Sequence, residues 1–227
     1  MKQEEKRPDG GFKFYGRRKG MPLSDRQSDL MENYLPSIRF DAENPLDGID
    51  REKQLWLEIG FGGGEHLAFQ AENNPDTLFI GVEPFVNGVA KFITEAYEKK
   101  LTNVRILDGD ARMLLPNLPD QCLDRLFLLY PDPWHKTRHN KRRFVNNESI
   151  AHFHRTIKAG GVFRFASDID DYVKWTVKNI NANGGFSFTG EKADDWRQAP
   201  DDWCETRYER KAKREGRTPN YITFNRL

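Results

Sequence analysis

The chain has 227 residues, with 36 Lys+Arg against 35 Asp+Glu and a formal net charge of +1. That length supplies one ample core and leaves two full domains cramped, so one domain over 1–227 is expected. Only 37% of residues are hydrophobic, yet 16 Phe, 7 Tyr and 5 Trp exclude a disordered chain. No run approaches the ~18 apolar residues of a membrane span, and no apolar segment in the opening residues suggests a secretory signal. Lone Cys122 and Cys204 form neither a disulfide framework nor a zinc spacing. The expectation is a soluble cytoplasmic protein, monomer or homodimer, with no metal, no membrane and no obligate protein partner.

The near-zero net charge conceals three basic blocks. The first includes Lys2, Lys6, Arg7, Lys13, Arg17, Arg18 and Lys19; the second is HKTRHNKRR from His135 to Arg143; the third is TRYERKAKREGR from Thr206 to Arg217. Local charge therefore argues for a polyanionic partner, provided the fold brings the blocks to one face.

In chain order, a flexible basic arm is expected over about 1–22. A short helix follows over Leu23 to Tyr34, capped by Ser24 and halted by Pro36, then a loop over Asp41 to Asp50. From Gln54 strands and helices alternate. Strands are expected at 54–61, 78–83, 103–110, 123–130 and 161–167, and helices at 65–73, 86–100, 111–115, 144–158 and 170–181. The helix at 144–158 is read as ending at Gly160–Gly161. Short alternating runs at 186–190 and 220–227 look like a terminal antiparallel pair. Five β-α units in succession demand a parallel sheet with helices on both faces, a doubly wound α/β fold.

In such folds ligands bind at the carboxyl ends of the strands. The first strand runs into L-E-I-G-F-G-G-G, placing Glu58, Gly60, Gly62 and Gly64 there. Glycines let the backbone turn tightly and approach a ligand. Glu58 would repel a pyrophosphate but suits the ammonium and sulfonium of S-adenosylmethionine. Glu83, ending the second strand, is placed to accept both ribose hydroxyls, and Asp110, after the third, to face the adenine amino group. This set resembles the class I S-adenosylmethionine-dependent methyltransferases, which have a Rossmann-like, mostly parallel seven-stranded sheet with an antiparallel terminal strand. The resemblance implies S-adenosyl-L-methionine as donor and S-adenosyl-L-homocysteine as product.

After the fourth strand comes Tyr130-Pro131-Asp132-Pro133-Trp134-His135-Lys136. Two prolines lock the backbone around Asp132. The prolines flank the Asp rather than follow it, which counts against the N/D-P-P-Y loops of enzymes that methylate exocyclic amines.

FYGRRKG, LEIGFGGGEH, GVEP, P-D-P-W-H-K-x-R-H-N-K-R-R, Ser167-Asp168 and Thr206-Arg207-Tyr208-Glu209, in that order, closely resemble the bacterial tRNA (guanine-N7)-methyltransferase family. The resemblance spans nearly the whole chain and implies methylation of N7 of a guanine in the tRNA variable loop. It implies donor contacts at Glu58, Glu83, Asp110 and Asp132, with Asp132 catalytic. Substrate contacts would fall at Lys136, Asp168, Thr206, Arg207, Tyr208 and Glu209, and RNA contacts at Arg138, His139, Asn140, Lys141, Arg142 and Arg143. Ser167-Asp168-Ile169-Asp170 departs locally from the family's Thr-Asp-aromatic.

The residue types fit that chemistry. Guanine N7 presents an unprotonated lone pair, so no general base is required. The enzyme must align reactants and stabilise positive charge growing on the purine, which a carboxylate such as Asp132 serves. Asp168 is placed to share recognition of the guanine edge. The Lys/Arg run would grip phosphates, with His135 and His139 as donors beside it. Trp134 or Tyr208 would stack on the extruded base, packing of the loop being the stronger reading for Trp134. His66, His152 and His154 lie on expected helices and read as packing residues. Three rivals stay open: another RNA base or exocyclic-amine methyltransferase on this scaffold, a nicotinamide-dependent oxidoreductase, which Glu58 opposes, and a non-catalytic tRNA binder.

Overall fold

The computed structural model describes Gly16 and residues 18–227. Most of the expected arm lies outside the described residues. Where it enters them it is bonded to the protein, not free: Val86 N donates to Arg18 O at 2.9 Å, Gly20 N to Asn87 Oδ1 at 2.7 Å, and Asn87 Nδ2 to Met21 O at 2.7 Å.

The elements are α1 (Asp25–Asn33), α2 (Leu35–Ile38), β1 (Leu55–Ile59), α3 (Glu65–Asn73), β2 (Leu78–Val82), α4 (Val86–Glu98), β3 (Val104–Leu107) and α5 (Ala111–Leu114). They continue with β4 (Leu123–Leu129), a 3-10 segment (Thr137–Arg142), α6 (Asn147–Thr156), β5 (Ile157–Ser167), α7 (Asp170–Asn183), β6 (Phe186–Phe188), α8 (Asp194–Arg197), α9 (Arg207–Arg214) and β7 (Asn220–Arg226). The seven-stranded sheet runs β3-β2-β1-β4-β5-β7-β6. β7 is antiparallel to both neighbours and the other paired strands run parallel. This is the α/β architecture expected, with the order reversing between β1 and β4.

Burial explains the strand sequences. β1 and β2 are buried at every residue, as central parallel strands covered on both faces must be. Period-two alternation sorts the apolar side chains. Leu57, Ile80, Leu126, Phe163 and Phe224 share one cluster; Trp56, Phe79, Phe127 and Ala166 share the other with residues of α3 and α4.

Two expected boundaries move for local reasons. Pro36 does not halt a helix; it stands in the first turn of α2, where its missing N–H costs nothing. The helix expected over 144–158 begins later, at a capping box in which Asn146 Oδ1 accepts from Glu148 N and Ser149 N. It also ends earlier, because the chain enters β5 at Ile157. Gly160 (φ +75°) and Gly161 are therefore no helix cap but an irregularity within β5, where the register with β4 shifts between Leu123 and Arg125.

Candidate active site

The carboxyl ends of β1, β2 and β4 meet where the strand order reverses, the recess at which doubly wound folds take their ligands, and the turn after β1 borders it. Gly62 (φ +58°) and Gly64 (φ +79°) hold left-handed backbone that a side chain would strain. The turn is also crowded: a Cβ on Gly64 would lie 2.2 Å from the Phe92 ring, and one on Gly88 in α4 would lie 2.3 Å from Gly62 O. Gly62 N donates to Glu83 Oε2 at 2.7 Å and Phe85 N to Glu83 Oε1 at 2.8 Å. Burial raises the Glu83 carboxyl above the ordinary range; those two N–H groups oppose the shift, and the nearby Asp132 and Glu58 carboxylates add to it.

Glu58 shares the β1 face with Trp56, which α3 covers. Its Oε2 accepts from His66 Nδ1 at 2.7 Å, both side chains being buried. Gln70 Nε2 in turn lies 3.3 Å from His66 Nε2 and donates to Asp202 O at 2.5 Å. His66 thus has a specific partner among the expected donor residues. The available signal was phase: period-two alternation directs Glu58 toward the helix that carries His66. Asp110 caps α5 by accepting from Arg112 N at 3.0 Å, and Arg112 Nη2 holds its other oxygen at 2.6 Å.

Across the recess, Tyr130 (φ +49°) and Trp134 (φ +48°) bracket Pro131-Asp132-Pro133. Left-handed backbone in aromatic residues marks strain held by its surroundings. Asp132 is exposed, yet desolvation by the surrounding protein raises its carboxyl. Asp168, ending the β5 turn, accepts from Arg217 Nε at 2.5 Å. Trp134 packs edge-on against His139 at 6.1 Å, with Arg142 5.1 Å over its ring. That favours Trp134 as loop packing. Lys136, just before the 3-10 segment, and Arg138 and Lys141 within it are exposed. His139 is pushed down by desolvation and by the cations Arg142, Arg138, Lys136 and Lys141.

The third basic block becomes helical, and its first turn closes on the glycine turn. Arg207 Nε donates to Glu65 Oε1 at 2.8 Å. The Tyr208 ring lies 3.0 Å from where a Cβ on Gly62 would stand, and the residue is 47% exposed. Burial raises its hydroxyl, and the Glu83 and Asp132 carboxylates add to the shift, so Tyr208 is within reach of both charges.

Three expected contact residues are buried. Thr206 is buried as the cap of α9, accepting from Glu209 N at 3.2 Å. Glu209 is only 1% exposed and accepts from Trp203 Nε1 and Tyr221 Oη, each at 2.6 Å. Both side chains are therefore engaged within the protein and shape the segment from within. Arg143, expected on RNA, is 1% exposed, with its guanidinium turned inward. Among the described residues no group of three or more His, Cys, Asp or Glu is arranged to hold a metal, and no helix is long and apolar enough to cross a membrane.

A model of the putative methyltransferase family (Methyltransf_4) matches residues 52–221. The tRNA (guanine-N(7)-)-methyltransferase of Agrobacterium fabrum (strain C58) is 50% identical over 98% of this chain and 99% of its own. That of Ruegeria sp. (strain TM1040) is 48% identical over 94% and 87%. The chain belongs to the tRNA (guanine-N7)-methyltransferase family. Among solved structures, a 16S rRNA methyltransferase, KamB, matches with TM-score 0.57 at 17% identity, over 91% of this chain and 96% of that one, and supports the fold alone.

The recess fits the S-adenosylmethionine that family membership implies. Gly60 has nothing within 4 Å of where its Cβ would stand, so the main chain there is open to close approach. Buried Glu58 and Glu83 supply negative charge for a cationic donor, and Asp110 adds an acceptor beside them.

Proposed function

We propose that this chain transfers a methyl group from S-adenosyl-L-methionine to N7 of a guanine in the tRNA variable loop. It would act as a single cytoplasmic domain, monomeric or homodimeric. The observation that carries this reading is the meeting of Glu83, bonded to Gly62 N, and Tyr208, packed on Gly62, at one glycine turn, with Glu58 and Asp132 close enough to act on Glu83 and an exposed basic segment following Asp132.

S-adenosylmethionine supplies a methyl carbon made electrophilic by its sulfonium; N7 gives the electron pair, and the S–CH3 pair stays on the departing thioether. Glu83 would hold the ribose, Glu58 and the main chain of Gly60 and Gly62 the amino-acid end, and Asp110 the adenine. Asp132 would stand where positive charge develops on the purine, stabilising it electrostatically without taking a proton from N7. Asp168 would share the guanine edge, with Arg217 fixing its orientation. Tyr208 would stack on the extruded base. Lys136, Arg138, Lys141 and the rest of the 3-10 segment would grip phosphates, fixing register without reading sequence.

The test is methyl transfer from labelled donor to an unmodified tRNA transcript, followed by borohydride reduction and aniline cleavage. Cleavage at one variable-loop guanine is expected. Incorporation without cleavage would overturn N7 as the acceptor atom.

A further inference from the structure

Arg143 closes the most basic run of the chain, and by sequence it belongs with its neighbours on phosphate. The structure gives it another occupation. With 1% exposure it is among the largest fully buried side chains. A guanidinium that deep is tolerated only when its donors are taken. Nε donates to Pro133 O at 2.9 Å, Nη1 approaches Asp171 O at 3.5 Å, and Nη2 pairs with the Asp171 carboxylate. Its Cζ lies over the Tyr172 and Trp175 rings, 4.9 and 5.3 Å from their centres.

The same two aromatic residues also fix the chain just beyond Arg143. Trp175 Nε1 donates to Val145 O at 2.7 Å, and Val145 N to Tyr172 Oη at 3.4 Å. The first turn of α7 is thereby locked to the stretch that follows the Pro-Asp-Pro loop.

What Arg143 holds is the loop itself. Residues 131–135 have no regular secondary structure, and two of them are prolines without an N–H. The flanking Tyr130 and Trp134 keep left-handed φ, a conformation that persists only where the surroundings impose it. The carbonyl of Pro133 immediately follows Asp132, so a donor on that oxygen sets where the carboxylate stands. Because the other end of Arg143 grips α7, which begins just after Asp168, one side chain ties the loop of Asp132 to the element of Asp168.

We propose that Arg143 is a positioning residue for Asp132 rather than an RNA contact, an inference that rests on the reading of Asp132 as the group beside the methylated guanine. Arg143→Lys keeps the charge but loses the planar fork that spans Pro133 and Asp171. Arg143→Met loses both. If Arg143→Met does not fold, Asp171→Ala loosens the same clamp from an exposed partner. The measurements are kcat at saturating tRNA and donor, the salt slope of tRNA binding, and the 19F resonance of 5-fluorotryptophan at Trp134, assigned by its loss in Trp134→Phe.

The expected result for Arg143→Lys is a kcat lowered about tenfold or more with an unchanged KM for tRNA and a shifted or broadened Trp134 signal. Arg143→Met, or Asp171→Ala in its place, should do the same while leaving the salt slope at the wild-type value. Arg138→Ala, on the exposed segment, should instead reduce that slope by about one. A slope reduced by about one in Arg143→Met, or an unchanged kcat and Trp134 signal in Arg143→Lys, would overturn the proposal. Asp132→Asn measured alongside separates the two levels: full kcat there sinks the reading of Asp132, whereas its loss beside an unaffected Arg143→Lys sinks only the positioning role.

Discussion

The two ends of the recess are built by different means. At the donor end, main chain meets side chain: Gly62 and Phe85 donate their N–H groups to Glu83, and Gly88 exists to let α4 approach Gly62 O. At the acceptor end, long side chains meet one another across the sequence, as in Arg217 with Asp168, Arg143 with Asp171, and Trp203 with Glu209. A backbone constraint admits few residues, chiefly glycine and a strand-end acid. A side-chain constraint is met by ordinary arginines and carboxylates that in sequence look like surface. The glycine turn of the first end is therefore fixed stereochemically, whereas the second end depends on side-chain pairs.

The sharpest way to separate the ends is to neutralise the acceptor carboxylate without changing its shape. Asp132→Asn should lower kcat by about a hundredfold or more, the scale of losing one preorganised electrostatic contact, while donor affinity falls far less. Desolvation raises the Asp132 carboxyl, and the reading requires the ionised form. Wild-type kcat should accordingly fall on the acid side at a pH above the ordinary Asp range, and the Asn variant should be low and flat there. A wild-type profile with no acid limb would break the assignment.

The donor end should fail through geometry instead. Gly62→Ala forces a left-handed φ of +58° on a residue with a side chain, about 1–2 kcal/mol of strain, and pushes a methyl toward the Tyr208 ring, 3.0 Å away. The expected outcome is donor affinity weakened tenfold or more by calorimetry, with a lowered melting temperature. Donor affinity within twofold of wild type would show that Tyr208 and the turn yield freely, contrary to the contrast drawn above.

The same contrast decides what was legible in the sequence. Strands β1 to β5, their parallel order and the acids at their ends follow from apolar runs, glycines and period-two alternation. Gly160–Gly161 misled because a glycine pair after an apolar helix marks a cap as readily as a bulge, and only the register with β4 distinguishes them. The burial of Arg143 and Glu209 was not legible because it depends on partners that fold in from α7 and from Trp203 and Tyr221. Local composition carries no trace of those partners. His66 lay between these cases: its helix was evident, and the phase of Glu58 pointed at it, yet a histidine on a helix face is ordinarily packing.

Glu83 tests whether the donor end carries a stability cost for its charge. Its carboxyl is buried and raised, so the folded chain binds this proton more tightly than the unfolded chain. The associated stability is fully present below the ordinary Glu range and is lost as pH rises through the raised value. Glu83→Gln should remove that dependence, so the stability difference should shift in the variant's favour as pH rises from the ordinary Glu range through the raised value, and level off above it. Donor affinity should drop as well, since one amide oxygen replaces two carboxylate oxygens now serving Gly62 and Phe85.

The smallest effects belong to the rim, where exposed charges act one at a time. Lys141→Ala removes a single exposed cation from the 3-10 segment, and Arg138→Ala another. Each should lower the slope of log affinity against log salt by about one, with a modest weakening at physiological salt. The double variant should lower it by about two, because phosphate contacts along a flexible polyanion release counterions nearly independently. A double variant with the wild-type slope would move the RNA path off this segment and onto the exposed Arg210, Lys211 and Arg214 of α9. The acceptor end would then be organised by the helix that carries Tyr208 rather than by the loop that carries Asp132.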